Sequence, residues 1–227
     1  MTLNFGNNLF PPRQELLQSY DWIDLITEQG YGTFYLAKAH TSDGTETSFI
    51  TSTEIESYPT LSSVSAGGDN ADAYAIKVND DFDLLVNSPL TINGKVIIVL
   101  SLYTTYTTDN FNAYWQVRLR KWDGTTETEI GAAKTELVLA VGNNTRRRTF
   151  EIDVTKEQYK KGEYIRITVE GWVAKSDNTG SQIGYWHDPA SKSNLSRSYN
   201  NPTATGDIIE YGENTDAKIL IPFKINI

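Results

Sequence analysis

The chain has 227 residues and contains no cysteine, two histidines and one methionine. Without thiols there are no disulfides, no thiolate metal ligands and no cysteine nucleophile. With only His40 and His187, a Ser-His-Asp relay or a histidine zinc site has little to draw on. Long apolar runs are also missing. None is longer than runs such as residues 96–100, which fall far short of the ~20 residues that span a bilayer as a helix. Residues 1–11 show neither a basic stretch nor an apolar one, so the expectation is synthesis without a secretory signal. Positive charge is scarce: 20 Lys and Arg face 29 Asp and Glu, for a net charge of −9. The one dense basic run, Arg146-Arg147-Arg148, is too small for a nucleic-acid footprint and reads as a solvated strand edge or an interface patch. Glycine loops of the nucleotide-binding kind are absent, and no helical stretch is long enough for a βαβ crossover.

What the chain does have is strand chemistry. Thirteen Tyr, eight Phe and five Trp accompany many Thr and Ile, the residue types that suit a pleated, half-buried surface. A hydrophobic fraction of 39% against 22% charged places it among folded proteins, and its length fits one all-β domain. Residues 1–30 read as an N-terminal arm. Within it, residues 13–22 offer a short helix with Leu16, Leu17 and Tyr20 on one side, either docking on a neighbouring subunit or plugging the domain. Residues 31–227 read as a single β-sandwich domain.

Strands are expected at 33–37, 48–51, 82–86, 95–106, 111–122, 136–141, 149–154, 164–173 and 218–227. Residues 62–72 read as a loop, Asn93-Gly94 and Asp123-Gly124 as turns, and 155–161 as a linking turn stopped by Gly162. In 111–122, Trp115, Val117 and Leu119 oppose Gln116, Arg118 and Arg120. In 164–173, Ile165, Ile167 and Val169 oppose Arg166, Thr168 and Glu170. Such alternation marks strands with one buried face. A long polar stretch, 188–206, reads as a functional or interface loop. Eight to ten strands with hairpin-sized and longer links point to a two-sheet antiparallel sandwich of jelly-roll or Greek-key type.

Several stretches carry a resemblance. They are Ser19-Tyr20-Asp21-Trp22-Ile23-Asp24 ahead of a Gly-Tyr-Gly-Thr-Phe-Tyr strand, residues 121–130 around Trp122-Asp123-Gly124-Thr125, residues 159–170 around Lys161-Gly162-Glu163-Tyr164, Tyr185-Trp186-His187-Asp188-Pro189, and the ending Ile221-Pro222-Phe223. In order and spacing the chain resembles jelly-roll-like structural proteins of tailed phages and archaeal viruses, whether capsid, decoration or fibre. The resemblance implies a non-enzymatic capsid or capsid-associated subunit located in the virion. It also implies a homo-oligomer, a trimer being favoured, in contact with other virion proteins. It implies no catalytic residues.

The chemistry-bearing residues are few. Asp80, Asp81 and Asp83, with Asn79, form an acidic cluster that offers oxygens to Ca²⁺, as do Asp69, Asn70 and Asp72. Both clusters also read as solvated turns. His187 beside Asp188 reads as a structural histidine, since adjacent residues on an extended chain point apart. Among the aromatics, Tyr106, Trp122, Trp172, Tyr185 and Trp186 take outward or loop positions, as do Tyr103 and Tyr199. Trp172 alternates with the polar side of its strand, so a subunit interface, a glycan or a second sheet is expected to cover it. A carbohydrate- or receptor-binding module, reaching a host-surface glycan, is therefore the alternative function; no nucleic-acid partner and no membrane span are expected.

Overall fold

The computed structural model describes residues 18–19, 29–40, 46–53, 61–65, 73–105, 112–131, 134–138, 144–174, 182–187 and 217–224. Among them are thirteen strands: β1 (Gln18–Ser19), β2 (Gln29–His40), β3 (Glu46–Thr51), β4 (Leu61–Ser65), β5 (Ala75–Leu85), β6 (Leu90–Thr105), β7 (Asn112–Trp122), β8 (Glu127–Glu129), β9 (Lys134–Val138), β10 (Asn144–Tyr159), β11 (Tyr164–Ala174), β12 (Gln182–Trp186) and β13 (Ala217–Lys224). The all-β expectation matches this content. Among the described residues no helix is long and apolar enough to cross a membrane.

The two-sheet sandwich does not hold. All thirteen strands join one continuous hydrogen-bonded sheet in the order β4-β12-β6-β13-β2-β3-β5-β11-β7-β8, with β1 on β2, β10 on β6 and β9 on β7. A parallel pair, Phe49 with Asp83, carries the order from β3 to β5, and among the described residues the sheet does not close. The jelly-roll architecture implied by the family resemblance falls with it. Alternation reports which side chains are buried, and says nothing of how many separate ladders bury them.

Individual elements also depart from expectation. Residues 61–65 form β4, paired with β12, where a loop was expected; β12 itself carried no strand signal strong enough to read. Gln18 and Ser19 are extended and paired with Gly32 and Tyr31, so they are not helical. Most of the expected arm and the whole of the 188–206 loop lie outside the described residues. Asn93-Gly94 does not turn the chain, because β6 runs through it. Two residues of β10, Thr155 and Lys156, lie opposite Asn93, between the pairs Val154–Gly94 and Glu157–Ile92. Gly94 takes a φ of 122° and Lys156 one of 46°, while the Lys156 backbone N–H donates to Asn93 Oδ1 at 3.3 Å. The Asn-Gly pair thus serves a β-bulge. For the same reason 155–161 is not a separate linking turn: β10 continues to Tyr159, and the turn is confined to 160–163, where Gly162 has a φ of 92°.

The core gathers side chains from strands distant in the sheet order. Trp115 of β7 meets Tyr185 of β12 edge-on at 5.9 Å, and Phe82 of β5 meets the same ring at 6.3 Å. Ile98 and Leu100, Val117 and Leu119, Phe150 and Ile152, and Ile165 and Ile167 are buried with them. Each such side chain stabilises the fold by roughly 1.5–3 kcal/mol. Odd-numbered residues of β7 and β11 supply this core. Their even-numbered residues form the opposite, outer face.

Candidate interaction surface

Register builds the outer face. β11 pairs on one side with β7, Tyr164 opposite Trp122, Arg166 opposite Arg120, Thr168 opposite Arg118, Glu170 opposite Gln116 and Trp172 opposite Tyr114. On its other side β5 sets Leu85 beside Tyr164, Asp83 beside Arg166, Asp81 beside Thr168 and Asn79 beside Glu170. Past a bulge at Lys77, Ile76 comes beside Trp172. The result is a charged belt between two aromatic ends.

At one end Trp122 and Tyr164 lie 4.9 Å apart, and the Arg166 guanidinium sits 4.1 Å over the Trp122 ring. At the other end Trp172 stacks on Tyr114, centroids 5.6 Å apart and planes 10° apart, and Tyr74 meets Tyr114 edge-on at 4.8 Å. Tyr74, Ile76 and Leu85 are the exposed large apolar side chains among the described residues, and all three lie at these two ends.

The belt is densely ion-paired. Arg166 donates to both oxygens of Asp83 at 2.7 Å, pairs with Asp81 at 3.4 Å and donates to Glu127. Its pKa is raised, chiefly by the hydrogen bond to Asp83. Glu170, almost wholly buried, accepts from Arg118 Nε at 2.9 Å, Arg120 at 3.4 Å and Trp172 Nε1 at 3.0 Å. Burial works against the charge on Arg118, but Glu129 and Glu170 outweigh it and raise its pKa. Burial also raises the Tyr114 pKa, with Glu170 adding to it. Thr168 is fully buried beneath the belt and donates to Asp81 at 2.6 Å.

The acidic cluster expected to offer a Ca²⁺ site is split by strand alternation. Asp81 and Asp83 face the belt and are taken by Thr168 and Arg166. Asp80 faces the other way, where it accepts from Lys38 at 2.8 Å and from the Tyr185 hydroxyl at 2.6 Å. Among the described residues no group of three or more His, Asp or Glu is arranged to hold a metal ion. Asp69, Asn70 and Asp72 lie outside the described residues.

Of the aromatics singled out by sequence, Trp122 and Trp172 stand on the outer face at opposite ends. Tyr185 does not point outward: it is fully buried, and His187 is buried beside it with ring centroids 5.4 Å apart. Burial, and then the nearby Lys38 charge, push the His187 pKa down to about 3. Trp186 is half-buried and meets Tyr103 at 6.4 Å. Tyr106 and Tyr199 lie outside the described residues. Sequence reading missed Tyr74, Tyr114, Tyr164, Ile76 and Leu85. Outward parity was available for Tyr114 and Tyr164, but only the register between β11, β7 and β5 assembles them.

No family model matches the chain, and no curated protein matches it. Among solved structures it is similar to a CocE/NonD family hydrolase from Staphylococcus aureus, with TM-score 0.48, 10% identity, and coverage of 86% of this chain and 37% of that one. An aminopeptidase from a marine sediment Thaumarchaeota archaeon gives TM-score 0.47 at 9% identity, covering 83% and 36%. The infectious bursal disease virus VP2 subviral particle gives 0.30 at 12%, covering 85% and 42%. The chain thus spans well under half the length of these proteins. At these scores the likenesses define neither a family nor an activity for it. The viral structural role and the carbohydrate-binding alternative both presupposed a two-sheet sandwich; the single continuous sheet removes that footing, and both are withdrawn.

Proposed function

We propose that this chain is a protein-binding β-domain that acts through the outer face of β5, β11, β7 and β8. The observation that carries this reading is the gathering of Tyr74, Ile76 and Leu85, the exposed large apolar side chains among the described residues, around Trp172–Tyr114 and Trp122–Tyr164 on one face. Trp, Tyr and Arg are the residue types that dominate binding energy when a partner excludes water from them. They are also held in place: Arg166 is fixed by Asp83 and Trp172 by Glu170, so little ordering remains to oppose association.

The test uses the full chain with Trp122→Ala and Trp172→Ala variants. A protein retained by the wild type is identified, purified and titrated by calorimetry. Loss of about tenfold or more in affinity for Trp172→Ala is expected, in keeping with an aromatic hot spot of ~2 kcal/mol. Equal affinity for wild type and both variants would remove the face from the function.

A further inference from the structure

Resting on that reading, we infer that the partner presents a basic segment, with Lys or Arg between two apolar anchors. The belt holds the carboxylates of Asp81, Asp83, Glu127, Glu129 and Glu170 against the guanidinium groups of Arg118, Arg120 and Arg166, a formal excess of negative charge. Depth sharpens the imbalance. The side chains of Asp81, Glu127 and Glu129 are 36–42% exposed, whereas those of the three arginines are 11–25% exposed. An approaching surface therefore meets the acidic rim, while the cations lie sunk beneath it on Glu170 and Asp83. The net charge of −9 adds the same sign at long range, and complementary charge steers encounter and suppresses wrong partners. A second copy docking by the same face would set acidic rim against acidic rim, which disfavours it.

The apolar anchors have a spacing. Tyr164 and Trp172 are eight positions apart on β11, roughly 27 Å at the ~3.4 Å rise of an extended strand. The fitting partner carries apolar groups that far apart with its basic residues between them.

The probes are two synthetic peptides of about 20 residues, long enough as a helix to span that distance. Each has leucine pairs at both ends; one has lysines between them and its twin has glutamates. Titration into the full chain is read by calorimetry at low and high salt. The lysine peptide is expected to bind about tenfold more tightly than its twin, with a preference that shrinks as salt screens exposed charge. Glu127→Lys/Glu129→Lys is expected to reverse the preference. Glu127→Gln/Glu129→Gln, a milder change, is expected to reduce it; a thermal melt establishes that each variant is folded. Equal binding of the two peptides, tighter binding of the glutamate twin, binding of neither, or a preference untouched by both Glu127/Glu129 variants would overturn the inference. So would a wild-type dimer in sedimentation that Trp172→Ala dissociates. If Trp172→Ala weakens both peptides equally and no charge preference exists, the face reading survives and only the basic partner falls. If Trp172→Ala leaves lysine-peptide binding unchanged, the face reading falls as well.

Discussion

Glu170 is an unusual residue to find on the outer side of a strand, because it is nearly buried and yet charged. Its carboxylate is the shared acceptor of Arg118, Arg120 and Trp172 Nε1. Removing one member of a buried charge network leaves the others unmatched, which costs more than the network itself contributes. Glu170→Ala is expected to destabilise the fold by about 3 kcal/mol, and Glu170→Gln by less, as read by urea unfolding. His187 makes the opposite case, a titratable group kept neutral. In the unfolded chain its imidazole takes up a proton near the ordinary value of 6.5, but in the fold only near about 3. Its contribution is therefore complete above pH 6.5 and is lost as pH falls towards 3. At pH 5 the loss is about 2 kcal/mol. Unfolding titrations at pH 8, 6 and 5 should show this decline, and His187→Phe should flatten that part of it. Lys38 opposes protonation there and Asp80 favours it, so the slope measures their balance as well as burial.

At the scale of elements, the strands that alternate cleanly were legible and the irregular ones were not. β7 and β11 follow their sequence because every second residue is apolar and the chain between has no competing signal. β6 and β10 were misread at Asn93-Gly94 and at 155–161, because a bulge uses the same left-handed geometry as a turn. Polarity hid β4: its Leu-Ser-Ser-Val-Ser sequence reads as a loop until β12 supplies the pairing. Gly171 shows how tightly β11 is seated. A Cβ there would lie 2.7 Å from Ile183 Cδ1 and 3.1 Å from the Trp115 ring. The isoleucine tip can shift, but the ring is held among buried neighbours. Gly171→Ala is expected to cost about 1–3 kcal/mol by overpacking, seen as a lower thermal midpoint, with part restored by adding Ile183→Val.

For the whole molecule, composition was enough for the all-β class, and alternation along the chain for which faces of β7 and β11 are buried. It could not give the order of strands, since order depends on pairings between residues tens of positions apart, such as Phe49 with Asp83. The candidate surface was half legible for the same reason. Trp122 and Trp172 stood out individually, but their neighbours Tyr164 and Tyr114 join them only through the register of β11 on β7. Tyr185 was misplaced because its short strand has too few residues to show a period, and its hydroxyl is satisfied inside the fold by Asp80.

The placement of three tryptophans has an optical consequence. Trp115 is sealed in the core against Tyr185, whereas Trp122 and Trp172 lie at the two ends of the outer face. Buried indole emits at shorter wavelength than hydrated indole, so the chain carries a built-in fluorophore for each region. With Trp115 as the sole emitter, the other four tryptophans being replaced, the spectrum reports the integrity of the core. With Trp122 or Trp172 retained instead, it reports events at one chosen end of the face, without any attached label.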